Sequence, residues 1–321
     1  MTGFPASTRA VLVGVEQYRL GPDWELDGPV LDVVKFARWL IDNGVPPENI
    51  TGAVSPLPAN APACAQSGLP IHWRTADSDQ VRTALTTELH SSASDVLFVY
   101  LGGHGFFAER DRRIVYPDAT EADIRNLNVT SLLESMRSIG YTGHRRQLIV
   151  VDTCLIETHD LDWRNGIPNE TFPSSHIAPE INQAAFFAAS PSQIAINDGA
   201  SGTGLFSAAL RDVLHSLDPR HLFPAPDSDV IRDELRRRFE VLRQDGRTDQ
   251  VPSHLVFGIN GSEEVQARPT RKVMVAPANK YHVEVHGDGP VTSGDNATTI
   301  VHDHGDRRIR PRKRRWSRNR S

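Results

Sequence analysis

The stretch that most constrains this chain is Asp95–Leu101 (DVLFVYL), in which every residue from Val96 to Leu101 is apolar or aromatic and Gly102-Gly103 follows at once. A strand with one wet face alternates apolar and polar residues. A strand covered on both faces does not, and such strands belong to the middle of parallel sheets sandwiched between helices. Two more runs share this texture, Gln147–Val151 (QLIVV) and Ala184–Ala189 (AAFFAA), and Arg9–Val15 (RAVLVGV) reads as a first buried strand. Between them lie helical patterns. Val30, Val33, Val34, Ala37, Leu40 and Ile41 line one face of a helix opened by Pro29 and closed by Asn43-Gly44. Asp77–His90, Thr130–Ile139, Gly204–Leu217 and Asp227–Gln244 are further helices. Ile71–Arg74, Arg113–Tyr116 and His254–Phe257 are short strands, and residues 52–68 read as an irregular loop. Strands alternating with helices from Arg9 to Phe257 predict an α/β architecture, a mostly parallel sheet with helices on both faces.

Past Gly261 the texture changes. Residues 8–260 form the expected folded domain. Residues 261–305 read as a linker with two short β-prone runs, Lys272–Val275 and Tyr281–His286, and residues 306–321 as an Arg-rich tail. From Arg307 to Arg320 nine of fourteen residues are Lys or Arg, and removing those nine charges takes the rest of the chain from −5 to −14. The chain is therefore an acidic body with a basic tail, a pattern that the near-neutral total conceals. The N-terminal MTGFPASTRAVLVGV has no charged segment ahead of its short apolar run, and no apolar stretch approaches ~18 residues, so neither secretion nor a transmembrane segment is expected. Two cysteines, Cys64 and Cys154, make no disulfide framework, and a cytoplasmic protein is expected.

In open parallel sheets functional groups gather at the carboxyl ends of strands. One strand runs into Gly102-Gly103-His104-Gly105, another into Asp152-Thr153-Cys154. Glycines around His104 let the backbone bend and a substrate approach. Cys154, two residues past a buried run and fifty after His104, sits on a rim. An imidazole beside a thiol favours the thiolate and can return the proton to a leaving amine. Backbone N–H groups at Gly105 and Cys154 suit a developing oxyanion. A lone cysteine is more often a buried structural residue. Here the His and Cys end the two most apolar strands in the order that caspase-type dyads use. Cys64, in a Pro/Ala loop, has no such setting.

Five segments in order resemble the caspase/metacaspase family, bacterial members included, over about residues 8–260. They are Ala10–Val15, Leu26–Val33 (LDGPVLDV), Tyr100–Gly105 (YLGGHG), Asp152-Thr153-Cys154, and Ala188-Ala189-Ser190 with Gly204-Leu205-Phe206. The resemblance implies a caspase-like, mostly parallel six-stranded sheet flanked by helices on both faces, with a short flexible C-terminal extension. It implies a cysteine endopeptidase with His104 and Cys154 as catalytic dyad. It also places Asp32, Asp152 and Gly102 in the S1 pocket, where a carboxylate pair suits an Arg or Lys at P1. The bland reading of Asp32 is a solvated residue at a helix start. Gly102 replaces the family's pocket serine, and Leu155-Ile156-Glu157 replaces the Arg-Ser-Gly-like run after the cysteine. Residues 157–182 stand where caspases carry a processing loop, with Arg164 its one basic residue.

No metal or cofactor is expected. Asp111, Asp118 and Asp123 match no compact calcium loop, so calcium activation of the kind some metacaspases show has no support in the spacing. His302-Asp303-His304 is too little for a metal site, and no P-loop, HExxH or GxSxG occurs. Val291–Ile300 (VTSGDNATTI) partly resembles the core of RHIM-like amyloid signalling motifs, so residues 272–305 are expected either to assemble with copies or partners or to be a disordered Gly/Asn/Thr linker. The tail is a solvated charge run that suits anionic surfaces or nucleic acid, and its Arg-X bonds suit the enzyme's own specificity. The functional expectation is a regulated endopeptidase in a signalling or defence system, cleaving protein or peptide substrates after a basic residue. The alternative is a catalytically weak adaptor that assembles through its C-terminal segment.

Overall fold

The computed structural model describes residues 4–108, 111–153, 156–157, 171–173, 175–189, 197–198, 203–222, 226–258 and 261–265. The chain divides into Met1–Val283 and Glu284–Ser321, and the second unit lies wholly outside the described residues. So do Cys154, Arg164, the expected assembly segment 272–305 and the Arg-rich tail.

In chain order the strands are β1 (Arg9–Val15), β2 (Ile50–Ser55), β3 (His72–Thr75), β4 (Leu97–Gly103), β5 (Gly105–Ala108), β6 (Asp111–Val115) and β7 (Asn126–Asn128). They continue as β8 (Arg146–Thr153), β9 (Ile156–Glu157), β10 (Asn182–Phe187), β11 (Asn197–Asp198), β12 (Thr203–Gly204), β13 (Ser253–Gly258) and β14 (Gly261–Val265). The helices are α1 (Pro29–Asp42), α2 (Ala61–Gln66), α3 (Ser78–Leu85), α4 (Thr87–His90), α5 (Val129–Met136), α6 (Leu205–Ser216) and α7 (Ser228–Gln244).

The main sheet has eight strands in the order β14-β13-β10-β8-β4-β1-β2-β3. Six of them, β10 through β3 in that order, pair in parallel, and β13 and β14 extend the sheet as an antiparallel hairpin. The sheet is mostly parallel, as expected, but has eight strands where six were expected. β4 sits at the centre and is buried at all seven positions, as its uninterrupted apolar sequence requires. Its even-numbered residues Phe98 and Tyr100 pack with α1, α6 and α7, where Val33, Phe36, Leu40, Phe206, Leu210 and Phe239 are buried. Its odd-numbered Val99 and Leu101 pack with α3 and α5, through Val81, Leu85, Leu132 and Met136. The period-two alternation of side chains thus feeds two cores from one strand.

The helix starts follow local chemistry. Asp77 caps α3 by accepting the N–H of Gln80 at 3.0 Å, Asn128 caps α5 through Ser131 at 2.9 Å, and Asp227 caps α7 through Asp229 and Val230. Several segments depart from the sequence reading, among them the expected helix Asp77–His90, which is two helices, α3 and α4. The expected loop 52–68 contains the end of β2 and helix α2, and the expected linker begins with β14. In β2, Trp73 of β3 lies across Gly52, where a Cβ would meet the indole at 2.7 Å.

Candidate active site

β4 and β8 run side by side in parallel register, Leu101 opposite Val151, Gly102 opposite Asp152 and Gly103 opposite Thr153. Beyond them β5 and β9 also pair in parallel, Phe106 opposite Ile156 and Phe107 opposite Glu157. Both ladders carry the same offset of fifty residues. Cys154 itself lies outside the described residues.

His104 is held from every side. Its backbone N–H donates to the Tyr18 hydroxyl at 2.8 Å, and its carbonyl accepts the Val115 N–H at 2.9 Å. The Tyr18 ring lies 5.0 Å from the imidazole, and Trp24 meets it edge-on at 5.4 Å and 78°. Imidazole Nε2 lies 2.9 Å from the Trp24 carbonyl oxygen. A carbonyl only accepts, so Nε2 carries the proton and Nδ1 keeps the lone pair of the neutral ring. Gly103, at φ 154°, allows this arrangement, since a Cβ there would stand 2.8 Å from the Tyr18 hydroxyl. Gly105 opens β5 directly after.

On the other side of the sheet edge lies a buried polar cluster. Asp32, in the first turn of α1, and Asp152, near the end of β8, are each 1% exposed. Asp32 is thus no solvated helix-start residue. Its Oδ1 is salt-bridged to Arg211 of α6, and its Oδ2 accepts the Gly204 N–H at 3.1 Å. Asp152 Oδ2 accepts the Ser207 hydroxyl at 2.6 Å, and Ser207 also lies 3.2 Å from the Tyr100 hydroxyl. Gly204 stands against both carboxylates, and a Cβ there would run into Asp152. Burial raises the Asp32 carboxyl to about 6, with Arg211 opposing and the Asp152 charge adding to the rise. Burial, with both carboxylates beside it, also raises the Tyr100 phenol well above its ordinary value and keeps it a neutral hydroxyl. At Gly102 an added Cβ would meet the Tyr100 hydroxyl at 2.6 Å, so the tyrosine's oxygen fills the space that a side chain there would need.

The start of α1, and with it Asp32, is tied down by Glu16. This fully buried carboxylate follows β1 and accepts the N–H groups of Gly28, Val30 and Leu57, each at 3.1 Å, and the Asn60 amide. Burial raises its pKa against the pull of those bonds. The three aspartates weighed for calcium are engaged with protein groups: Asp118 with Ser78 and Arg125, Asp123 with Arg125, and Asp111 with Asn128 and Arg113. Among the described residues no group of three or more His, Cys, Asp or Glu converges to hold a metal ion. Among them, too, no helix is long and apolar enough to cross a membrane. A cleft lined by Val96, Arg146, Asn182, Pro226 and Phe257 opens at the opposite, amino-terminal edge of the sheet and takes no part in this chemistry.

Tyr18, Trp24, Glu16, Gly204, Ser207 and Arg211 were not singled out as site residues from sequence. Trp24 acts through its carbonyl, which no residue type announces. Gly204 was visible as part of the Gly-Leu-Phe segment, and Ser207 and Arg211 follow it at helical spacing.

No protein-family model matches the chain, and no curated protein matches it. Among solved structures it is similar to caspase-1 from Spodoptera frugiperda, at 14% identity and a TM-score of 0.49, over 79% of this chain and 88% of that one. A second similar structure is that of pro-sf-caspase-1, at 12% identity and a TM-score of 0.47, over 80% of this chain and 93% of that one.

Proposed function

We propose that the chain is a cysteine endopeptidase of the caspase/metacaspase type that cleaves after Arg or Lys, with Cys154 as nucleophile and His104 as general base. The observation that supports this reading is the common offset of fifty residues in the β4–β8 and β5–β9 ladders, the same separation as His104 and Cys154 have in the sequence.

Nδ1 of His104 accepts the thiol proton while the Trp24 carbonyl steadies the charge that forms on the ring. The thiolate attacks the scissile carbonyl carbon, whose oxygen becomes an oxyanion facing the backbone N–H groups of Gly105 and Cys154. The imidazolium returns its proton to the amide nitrogen as the C–N bond breaks, leaving a thioester and a free amine. Water, deprotonated by the same Nδ1, then hydrolyses the thioester and regenerates the thiol. Asp32 and Asp152 form the acidic pit for the P1 cation, and Gly102 and Tyr100 shape its wall. The C-terminal segments fit a regulated effector: residues 272–305 as an assembly motif, the basic tail as an anion-binding run, and Arg164 as a self-processing position.

Fluorogenic peptides with Arg or Asp at P1, offered to the wild type and to Cys154→Ala, test this directly. Hydrolysis of the Arg peptide that disappears in Cys154→Ala is expected. Turnover of the Asp peptide alone refutes the basic pit. No turnover of either, or equal turnover by both proteins, leaves the adaptor.

A further inference from the structure

The approach to α1 converges on Glu16. Its carbonyl oxygen accepts the Leu26 N–H at 2.9 Å, and its carboxylate Oε1 accepts the Gly28 and Val30 N–H groups at 3.1 Å each. Oε2 accepts the Leu57 N–H at 3.1 Å, and the Asn60 amide donates to both oxygens while also reaching Asp27 at 2.7 Å. The helix cannot cap itself. Gly28, at the cap position with φ 121°, has no side chain, and Pro29 brings no N–H. A carboxylate from a neighbouring strand end therefore takes the orphan N–H groups and faces the positive end of the helix. Glu16 is itself 0% exposed, so these bonds stand in a low-dielectric setting. Two residues before Leu26 stands Trp24, whose carbonyl oxygen lies 2.9 Å from His104 Nε2. Two residues after Glu16 stands Tyr18, whose hydroxyl takes the His104 N–H at 2.8 Å. One short segment thus holds His104 twice, directly through Tyr18 and, through Glu16, by way of the Trp24 carbonyl.

We propose that Glu16 is a positioning residue for the His104 ring: by capping α1 from outside the helix it fixes the segment that carries the Trp24 carbonyl, and that carbonyl holds Nε2 so that Nδ1 keeps its lone pair for the thiol. The anchoring stands on the hydrogen bonds alone, and its catalytic consequence rests on the peptidase reading. Pro22–Trp24 is a single 3-10 turn, whose own bonds fix its shape but not its place. Its place is set downstream, where Leu26, Gly28 and Val30 all donate to Glu16. Without Oε1, the Gly28 and Val30 N–H groups are left buried and unpaired. The chain then shifts to satisfy them, and the Trp24 carbonyl moves with it.

The test reads the ring directly. Solvent exchange of the His104 Nε2 proton is followed by NMR and assigned by its absence in His104→Gln. The Val99 amide of the central strand serves as the reference for global opening. Glu16→Ala is expected to speed ring exchange roughly 10- to 100-fold relative to Val99. Glu16→Gln, which keeps one acceptor oxygen for Gly28 and Val30, is expected to speed it roughly 3- to 10-fold. Asn60→Ala releases the side of residues 57–60 but leaves those two bonds, and its ring exchange is expected within about 2-fold of wild type. Ring and Val99 amide speeding up in parallel would mean that Glu16 serves cohesion alone, and overturns the proposal. So does an unmoved ring, or an Asn60→Ala effect equal to that of Glu16→Gln. Should Glu16→Ala not fold, Glu16→Gln against Asn60→Ala decides. On the Arg peptide, Glu16→Gln is expected to lower kcat roughly 3- to 10-fold with KM unchanged. A moved ring with an unmoved kcat overturns the positioning role. If the wild type hydrolyses no peptide, the peptidase reading fails and ring exchange judges Glu16 by itself: faster exchange supports the anchoring, and unchanged exchange overturns it.

Discussion

The Asp32 carboxyl offers a measurement that needs no substrate. Its folded pKa is about 6, raised by burial, against a reference of 3.8. The folded state therefore holds this proton more tightly than the unfolded chain does. The sign follows: the stabilising effect of that proton is full below pH 3.8 and is lost as pH rises through 6. A gap of about 2 pH units at about 1.4 kcal/mol each comes to about 3 kcal/mol, of which about 2 kcal/mol falls between pH 4.5 and 7. Urea unfolding of the wild type and of Asp32→Asn at half-unit pH steps isolates it. Asparagine keeps the size of the protonated carboxyl and an acceptor for Gly204, while the exposed counter-ion pairs elsewhere cancel between the two proteins. The stability of the wild type relative to the variant is expected to drop by about 2 kcal/mol from pH 4.5 to 7, on top of a constant offset from the unpaired Arg211. Parallel curves, or a difference that grows with pH, would refute the account of Asp32 as a desolvated carboxylate only partly compensated by Arg211. The same titration bears on the pit: as pH falls below 6 Asp32 becomes neutral, Arg211 loses its counter-ion, and hydrolysis after a basic P1 residue should weaken.

Three further outcomes follow from the geometry. Tyr18→Phe removes the acceptor of the His104 N–H while keeping the ring, so kcat should fall roughly 5- to 10-fold with KM unchanged and stability should drop by about 1 kcal/mol; an unchanged kcat would release Tyr18 from any positioning role. Gly102→Ser introduces a Cβ that would press on Tyr100, so a loss of about 1–3 kcal/mol in urea unfolding is expected, and a gain would show that Tyr100 yields freely. Burial, with the Glu16 charge nearby, raises the Cys64 thiol to about 11, which leaves roughly 0.1% thiolate at pH 8. Iodoacetamide at that pH should therefore label the Cys154 peptide long before the Cys64 peptide, as mass spectrometry of a timed digest would reveal; prior labelling of Cys64 contradicts the activated thiol.

The residues legible in the sequence were those whose burial or backbone leaves a mark on composition. β4 and β8 could be read because both faces are covered, and coverage on two sides forces an unbroken apolar run. His104 could be read because glycines are required where Tyr18 packs against Gly103. β2 could not, because its sequence ITGAVS, with a glycine against Trp73, carries no unbroken apolar run. β14 could not either, since Gly-Ser-Glu-Glu-Val at a sheet edge carries charge instead of a hydrophobic pattern. The break between α3 and α4 falls at Thr86, with no proline or glycine to announce it.

The site divides along the same line. His104 could be proposed from its place at a glycine-flanked strand end, and Asp32 and Asp152 from the resemblance of their segments to a known family. The groups that set their state could not. The tautomer of His104 is fixed by a main-chain oxygen of Trp24, which any residue there would provide. The charge of Asp32 is set first by burial and then, in the opposite sense, by Arg211, an arginine of α6 that shares a helix face with Ser207. Two aspartates alone read as a doubly negative pit. The pairing of Asp32 with Arg211 inside the same cluster changes that reading, and nothing in the order of residue types along the chain discloses the pairing.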